Sequence, residues 1–87
     1  MEVSVWDTYV KREDGKAMSF DILVPSDLKN GDTILLYGNT YLKSKPFKTE
    51  TLTSNGCVFC HLEQATGLIK EQIENKGFYI KEIRNCG

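Results

Sequence analysis

The sequence predicts a two-layer α+β domain in which strand, strand, helix, strand, helix and strand follow in that order and the four strands form a mixed sheet. Three observations support this. Two segments of alternating polarity, 2–10 and 17–24, flank Asp14-Gly15, one of the strongest two-residue hairpin signals. Ala65, Leu68, Ile69 and Ile73 recur at helical spacing. Pro25, Pro46, Asn55-Gly56 and Gly77 punctuate the chain between its apolar runs. With 87 residues, 40% hydrophobic and 26% charged, residues 1–87 have room for one core and no second domain.

With Asp14-Gly15 as the turn, Glu13 faces Lys16, Tyr9 faces Phe20, Asp7 faces Ile22 and Val5 faces Val24. One face then carries Val3, Val5, Tyr9, Met18, Phe20, Ile22 and Val24 as a core. The other carries Ser4, Trp6, Thr8, Val10, Ser19, Asp21 and Leu23, with Trp6 and Leu23 paired on it as a candidate dimer or partner surface. Asp7 falls on the apolar face, where a carboxylate needs a hydrogen-bond donor. It is either a satisfied structural group near the sheet's end or a functional acid with a raised pKa.

Pro25 ends the second strand and residues 26–31 read as loop. From Asp32 to Lys45, Asp32 caps a helix with the stripe Ile34, Leu35, Tyr41 and Leu42, and Gly38 allows close approach to the sheet. Gly38-Asn39 also reads as a hairpin turn; the helix is the preferred reading, and Pro46 stops it. Residues 48–54, rich in threonine, read as the third strand. The second helix ends at Gly77, and residues 78–83 form the last strand. A strand, helix, strand unit over 48–84 makes a right-handed crossover with its two strands parallel. Cys86 is then expected on the same sheet edge as the stretch that follows strand three.

That stretch, Cys57-Val58-Phe59-Cys60-His61, holds two of the three cysteines and the only histidine. With Cys86 it offers three thiols and an imidazole, the number and softness of ligands that zinc takes. Metal or a disulfide could equally staple the C-terminus to the site. A C-x-x-C at a helix N-terminus suits thiol redox chemistry, and residues 57–83 look locally like a glutaredoxin, although neither proline follows the motif as that fold requires. In an enzyme, Cys57 or Cys60 would be the nucleophile and His61 the base. C-x-x-C-H is also the covalent haem signature, but attachment belongs to exported, helical proteins, and haem is disfavoured. Against all of these stands a packing role, with the cysteines as small buried hydrophobes and His61 capping the helix.

Eleven basic and twelve acidic residues give a net charge of -1, which excludes the electrostatic footprint for nucleic acid or an anionic membrane. No apolar run approaches the roughly 20 residues of a membrane span, and the N-terminus lacks a signal pattern. The expected location is the cytoplasm, a reducing compartment that suits an odd number of cysteines.

Val5-Trp6-Asp7-Thr8-Tyr9-Val10, Met18-Ser19-Phe20-Asp21, Cys57-Val58-Phe59-Cys60-His61, Gly77-Phe78-Tyr79-Ile80 and a cysteine near the end together resemble a small bacterial family, domain of unknown function twenty twenty-four. The resemblance spans nearly the whole chain. It implies an α+β domain with two helices, which favours helix over hairpin for residues 33–45, although Gly38-Asn39 departs from the family's usual helix formers. It implies no activity. It marks Asp7, Thr8, Tyr9, Cys57, Cys60, His61 and Cys86 as candidate positions without roles.

Overall fold

The computed structural model describes residues 1–87. β1 (Glu2–Lys11) and β2 (Ala17–Pro25) form a hairpin, followed by α1 (Gly31–Lys43), β3 (Cys57–Gln64), α2 (Gly67–Lys76) and β4 (Tyr79–Arg84). The expected α+β class and both helices are present. The sheet runs β3-β1-β2-β4 and every neighbouring pair is antiparallel, so it is not the mixed sheet expected. No helix is long and apolar enough to cross a membrane.

The hairpin turns through three residues, Glu13-Asp14-Gly15, and not two. The Arg12 N–H donates to Lys16 O and the Gly15 N–H to Arg12 O, each at 2.9 Å, while Gly15 takes the left-handed conformation at φ +90°. The extra loop residue moves the register by one, so that Val5 pairs with Leu23, Asp7 with Asp21 and Tyr9 with Ser19. A slip of one residue turns every side chain of β2 over relative to β1. The single apolar face expected from the pattern therefore divides into two. Val10, Met18, Phe20, Ile22 and Val24 pack with Ile34 and Leu42 of α1. Val3, Val5 and Leu23 pack on the opposite face with Ile73 and Ile69 of α2. The helices thus cover one face each, giving three layers in place of two. Leu23 is buried beneath α2 and cannot form the outer-face pair expected with Trp6, whereas Tyr9, expected in the core, is 64% exposed.

Asn30, and not Asp32, caps α1: its Oδ1 accepts from the N–H groups of Asp32 at 2.9 Å and Thr33 at 3.2 Å. Gly38 is buried against the sheet, where an added Cβ would collide with Leu52 and stand 3.0 Å from Ile22 Cδ1. Its neighbour Asn39 donates from Nδ2 to Leu52 O at 3.1 Å and accepts from the Leu52 N–H at 2.8 Å. The two residues that imitate a turn in the sequence thus serve the helix, one by having no side chain and the other by pinning the next segment. That segment, expected as a strand over 48–54, is irregular. A single bridge joins Thr49 to Arg12, and Leu52 fills the core from its pinned position while Thr51 and Thr53 face water.

The third strand is the Cys57–Gln64 stretch itself. β3 runs beside β1 and β4 beside β2, antiparallel partners at opposite edges. α2 consequently joins two antiparallel strands separated by the hairpin, and the right-handed crossover rule, which governs parallel strands, does not apply. Gly77 ends α2 as expected, at φ +94°, its N–H donating to Ile73 O at 2.8 Å.

Candidate functional site

β3 carries the site because its alternation is interrupted once. Thr8 pairs with Cys57, Asp7 with Val58 and Trp6 with Phe59, but Val5 pairs with His61, so Cys60 is the extra residue of a bulge. Cys57 and Phe59 therefore face the α1 side, where Cys57 packs on the core and the Phe59 ring meets Trp6 edge-on at 5.6 Å. Past the bulge, Cys60 and His61 both look to the α2 side, with Cys60 Sγ 3.1 Å from His61 Nδ1.

This placement separates the cysteines. Residues three apart on a strand have Cα atoms about 10 Å apart, beyond the roughly 4.4–6.8 Å that a disulfide spans. Cys57 and Cys60 also face opposite sides, so the C-x-x-C redox pair is not assembled, and the motif lies on a strand with no helix N-terminus to stabilise a thiolate. Burial pushes the Cys57 thiol up. Desolvation, and then the charge and hydrogen bond of Asp7, push Cys60 up as well. Neither thiol is activated as a nucleophile needs. Cys86 is buried beyond β4, its Sγ donating to Ser19 O at 3.2 Å, at the edge opposite β3. The four-ligand set of Cys57, Cys60, His61 and Cys86 is thus dispersed, and no three His, Cys, Asp or Glu residues of one chain are arranged to hold a metal ion.

Cys60, His61 and Glu63 do come together. His61 Nε2 lies 3.1 Å from Glu63 Oε1, since residues 61 and 63 share a face of the strand. An ionised Glu63 can only accept, so a neutral His61 donates from Nε2 and turns the lone pair of Nδ1 toward the thiol. Beside them, Val58, Asp7, Asp21 and Lys81 form a row across all four strands. α2 covers only the other end of this face, and a shallow groove remains, lined by Asp7, Thr8, Tyr9, Ser19, Asp21 and Ile83. Desolvation, reinforced by the hydrogen bond and charge of Asp7, raises Asp21 to about 6, against the opposing pull of Lys81 and His61. Below about pH 6, the donor that Asp7 was expected to need is supplied by the protonated Asp21.

The raised acid fixes a sign. Between pH 4 and 6 the folded chain retains an Asp21 proton that the unfolded chain has released, so this group's contribution to stability falls as pH rises through that window. Asp21→Asn is expected to melt with the wild type near pH 4 and above it at pH 7. Parallel melting profiles across that range would refute the shared proton.

The remaining candidates are structural. Thr8 is buried and donates from Oγ1 to Phe20 O at 2.6 Å, bracing the hairpin; Tyr9 only borders the groove. Three residues that matter were not singled out from the sequence. Glu63 was legible as His-x-Glu once 57–64 is a strand. Asp21 emerges only from the correct register. Arg12 is buried over the Phe47 ring at 3.7 Å and donates to Asn85 O and Gly87 O, and nothing in its sequence context marks it.

The fold and site define an antiparallel α+β domain with a helix on each face and a thiol and imidazole on one edge strand. The chain belongs to the family described as Domain of unknown function (DUF2024), whose model matches residues 1–83. It is similar to protein NE1680 from Nitrosomonas europaea, whose NMR structure it matches at 31% identity and a TM-score of 0.79, over 100% of each chain. No curated protein matches it. The family carries no assigned activity.

Proposed function

We propose that this chain is a self-associating binding domain that adds its β3 edge to β3 of a second copy, extending the sheet across a two-fold axis. The observation that carries this is the contrast between the two sheet edges. β4 presents Lys81, Glu82 and Arg84, the charged protection that natural edges carry against pairing. β3 has no lysine, arginine or proline, and exposes Val58 (57%), Phe59 (47%) and Leu62 (52%).

The occupant follows from the bulge. Before Cys60 the α1 side is taken by Cys57 and Phe59, and after it by Leu62, which pairs with Ser4. In an antiparallel two-fold pairing of full length, every residue stays on its own face when Cys60 stands opposite His61 of the second copy. Phe59 then meets Leu62 of the second copy, twice, on the side already lined by Trp6, and no like charges are opposed. Sequence and bulge thus make the edge complementary to itself.

Sedimentation equilibrium of the metal-free chain tests this. The wild type is expected to be a dimer, and Leu62→Lys, at an exposed position that the fold tolerates, a monomer with an unchanged circular dichroism spectrum. A wild type that stays monomeric at millimolar concentration, or a Leu62→Lys dimer of unchanged strength, overturns the reading.

A further inference from the structure

We infer that Cys60 and His61 are half of a tetrahedral site for a soft divalent cation such as zinc, completed by Cys60 and His61 of a second copy across the β3 junction. The inference rests on the self-association proposed above. Its first support is the bite. Zinc–sulfur and zinc–nitrogen bonds of about 2.3 and 2.0 Å at the tetrahedral angle set their two ligands about 3.5 Å apart. Cys60 Sγ and His61 Nδ1 already stand 3.1 Å apart, on one side of the strand, because the bulge removes the alternation that would otherwise oppose adjacent side chains.

The second support is Glu63. A metal-bound histidine ordinarily donates its other ring N–H to a carboxylate, which fixes the tautomer and the ring plane. Glu63 Oε1 takes that position at 3.1 Å from His61 Nε2, leaving Nδ1 as the coordinating atom. The third is the count. One chain supplies two soft donors and no third in place, since Cys57 faces the α1 side and Cys86 lies at the far edge. In the register that preserves faces, each Cys60 lies beside His61 of the other copy, so four donors gather at the axis. Asp7 and Asp21 on the same side add the negative potential that draws a cation there. Two thiolates and two imidazoles suit zinc and not the oxygen-seeking magnesium or calcium. Each ion bound displaces two thiol protons, one from each Cys60, into solvent.

Cobalt(II), a spectroscopic stand-in for zinc, tests the site on the full chain under reducing conditions. The expected result is saturation at one ion per two chains, with the intense visible bands of tetrahedral cobalt and thiolate charge transfer in the near ultraviolet. Cys60→Ser and His61→Gln should each lose the spectrum, while Cys57→Ser keeps it. Octahedral bands, saturation at one ion per chain, or an unchanged spectrum in Cys60→Ser overturns the site. Sedimentation of the same samples separates the two proposals: a metal-free dimer that takes up no cobalt sinks the site alone, whereas a monomer binding cobalt one to one sinks the shared site and the self-association together.

Discussion

Gly38→Val is expected to lower stability by about 3 kcal/mol, the upper part of the range for overpacking a filled core, and so to drop Tm by roughly 12–24 °C in a chain of this size. The reason is local. α1 lies so close to the sheet at this residue that a Cβ would overlap Leu52 and touch Ile22, both almost wholly buried. Leu52 cannot step aside freely, because its backbone is fixed at both polar groups by the Asn39 amide. A β-branched side chain adds atoms in two directions and also loses rotamer freedom in a helix. Gly38→Ala should fall by less, since about 1 kcal/mol of helix propensity returns to offset its single extra carbon. Thermal melts of the two variants check the order; a valine variant as stable as the alanine one would mean that α1 can ride away from the sheet.

Gly38 also shows how much of the fold could be read in advance. Its place inside an apolar stripe pointed correctly to a helix held close to the sheet, since the requirement is local and the residue type states it. The hairpin shows the opposite case. Asp14-Gly15 marks a turn, but whether the loop holds two residues or three is decided by Arg12 pairing with Lys16, and that single residue of register assigns Tyr9 to water, Leu23 to the core and Asp21 to the side of Asp7. Nothing in the alternation of polar and apolar residues selects between the two registers, because Trp6, Thr8 and Val10 are as able to line a half-buried face as Val3 and Val5.

The site was legible as a place and misread as a geometry. Clustering of thiols and imidazole singled out 57–61, yet a strand cannot hold Cys57 and Cys60 on one side, and assigning the strand to the threonine-rich residues before them hid that conflict. Cys86 was drawn in by supposing parallel strands. Once β3 and β4 sit on opposite borders, the penultimate residue belongs to a different locality, held by Ser19 and by the Arg12 neighbourhood. Long-range strand order follows from which edges the hairpin leaves open, and that is absent from any local pattern.

Arg12 governs that second locality, and its removal is the other large effect expected. Its guanidinium donates from Nη1 to Asn85 O at 2.9 Å and Gly87 O at 2.8 Å, pairs through Nη2 with Asp14 at 3.0 Å, and has its Cζ over the Phe47 ring. Hydrogen bonds from a charged donor contribute about 1.5–3 kcal/mol each. Against them stands Nε, buried without a partner, a burden of about 1–3 kcal/mol. The balance favours the native residue, and Arg12→Ala is expected to lower stability by about 2–3 kcal/mol, with residues 85–87 released first. Arg12→Met keeps an apolar stem of similar length and removes the orphaned nitrogen with the charge, so its loss should be about half as large. Release has a direct readout. In the wild type a thiol reagent should modify Cys86 slowly, since it is buried. In Arg12→Ala, Cys86 should react at a rate approaching that of the urea-unfolded chain under conditions where the fold is otherwise intact by circular dichroism. Continued protection of Cys86 would assign the anchoring of these residues to Asn85, which donates from Nδ2 to Ala17 O at 2.6 Å, and leave Arg12 with a minor share.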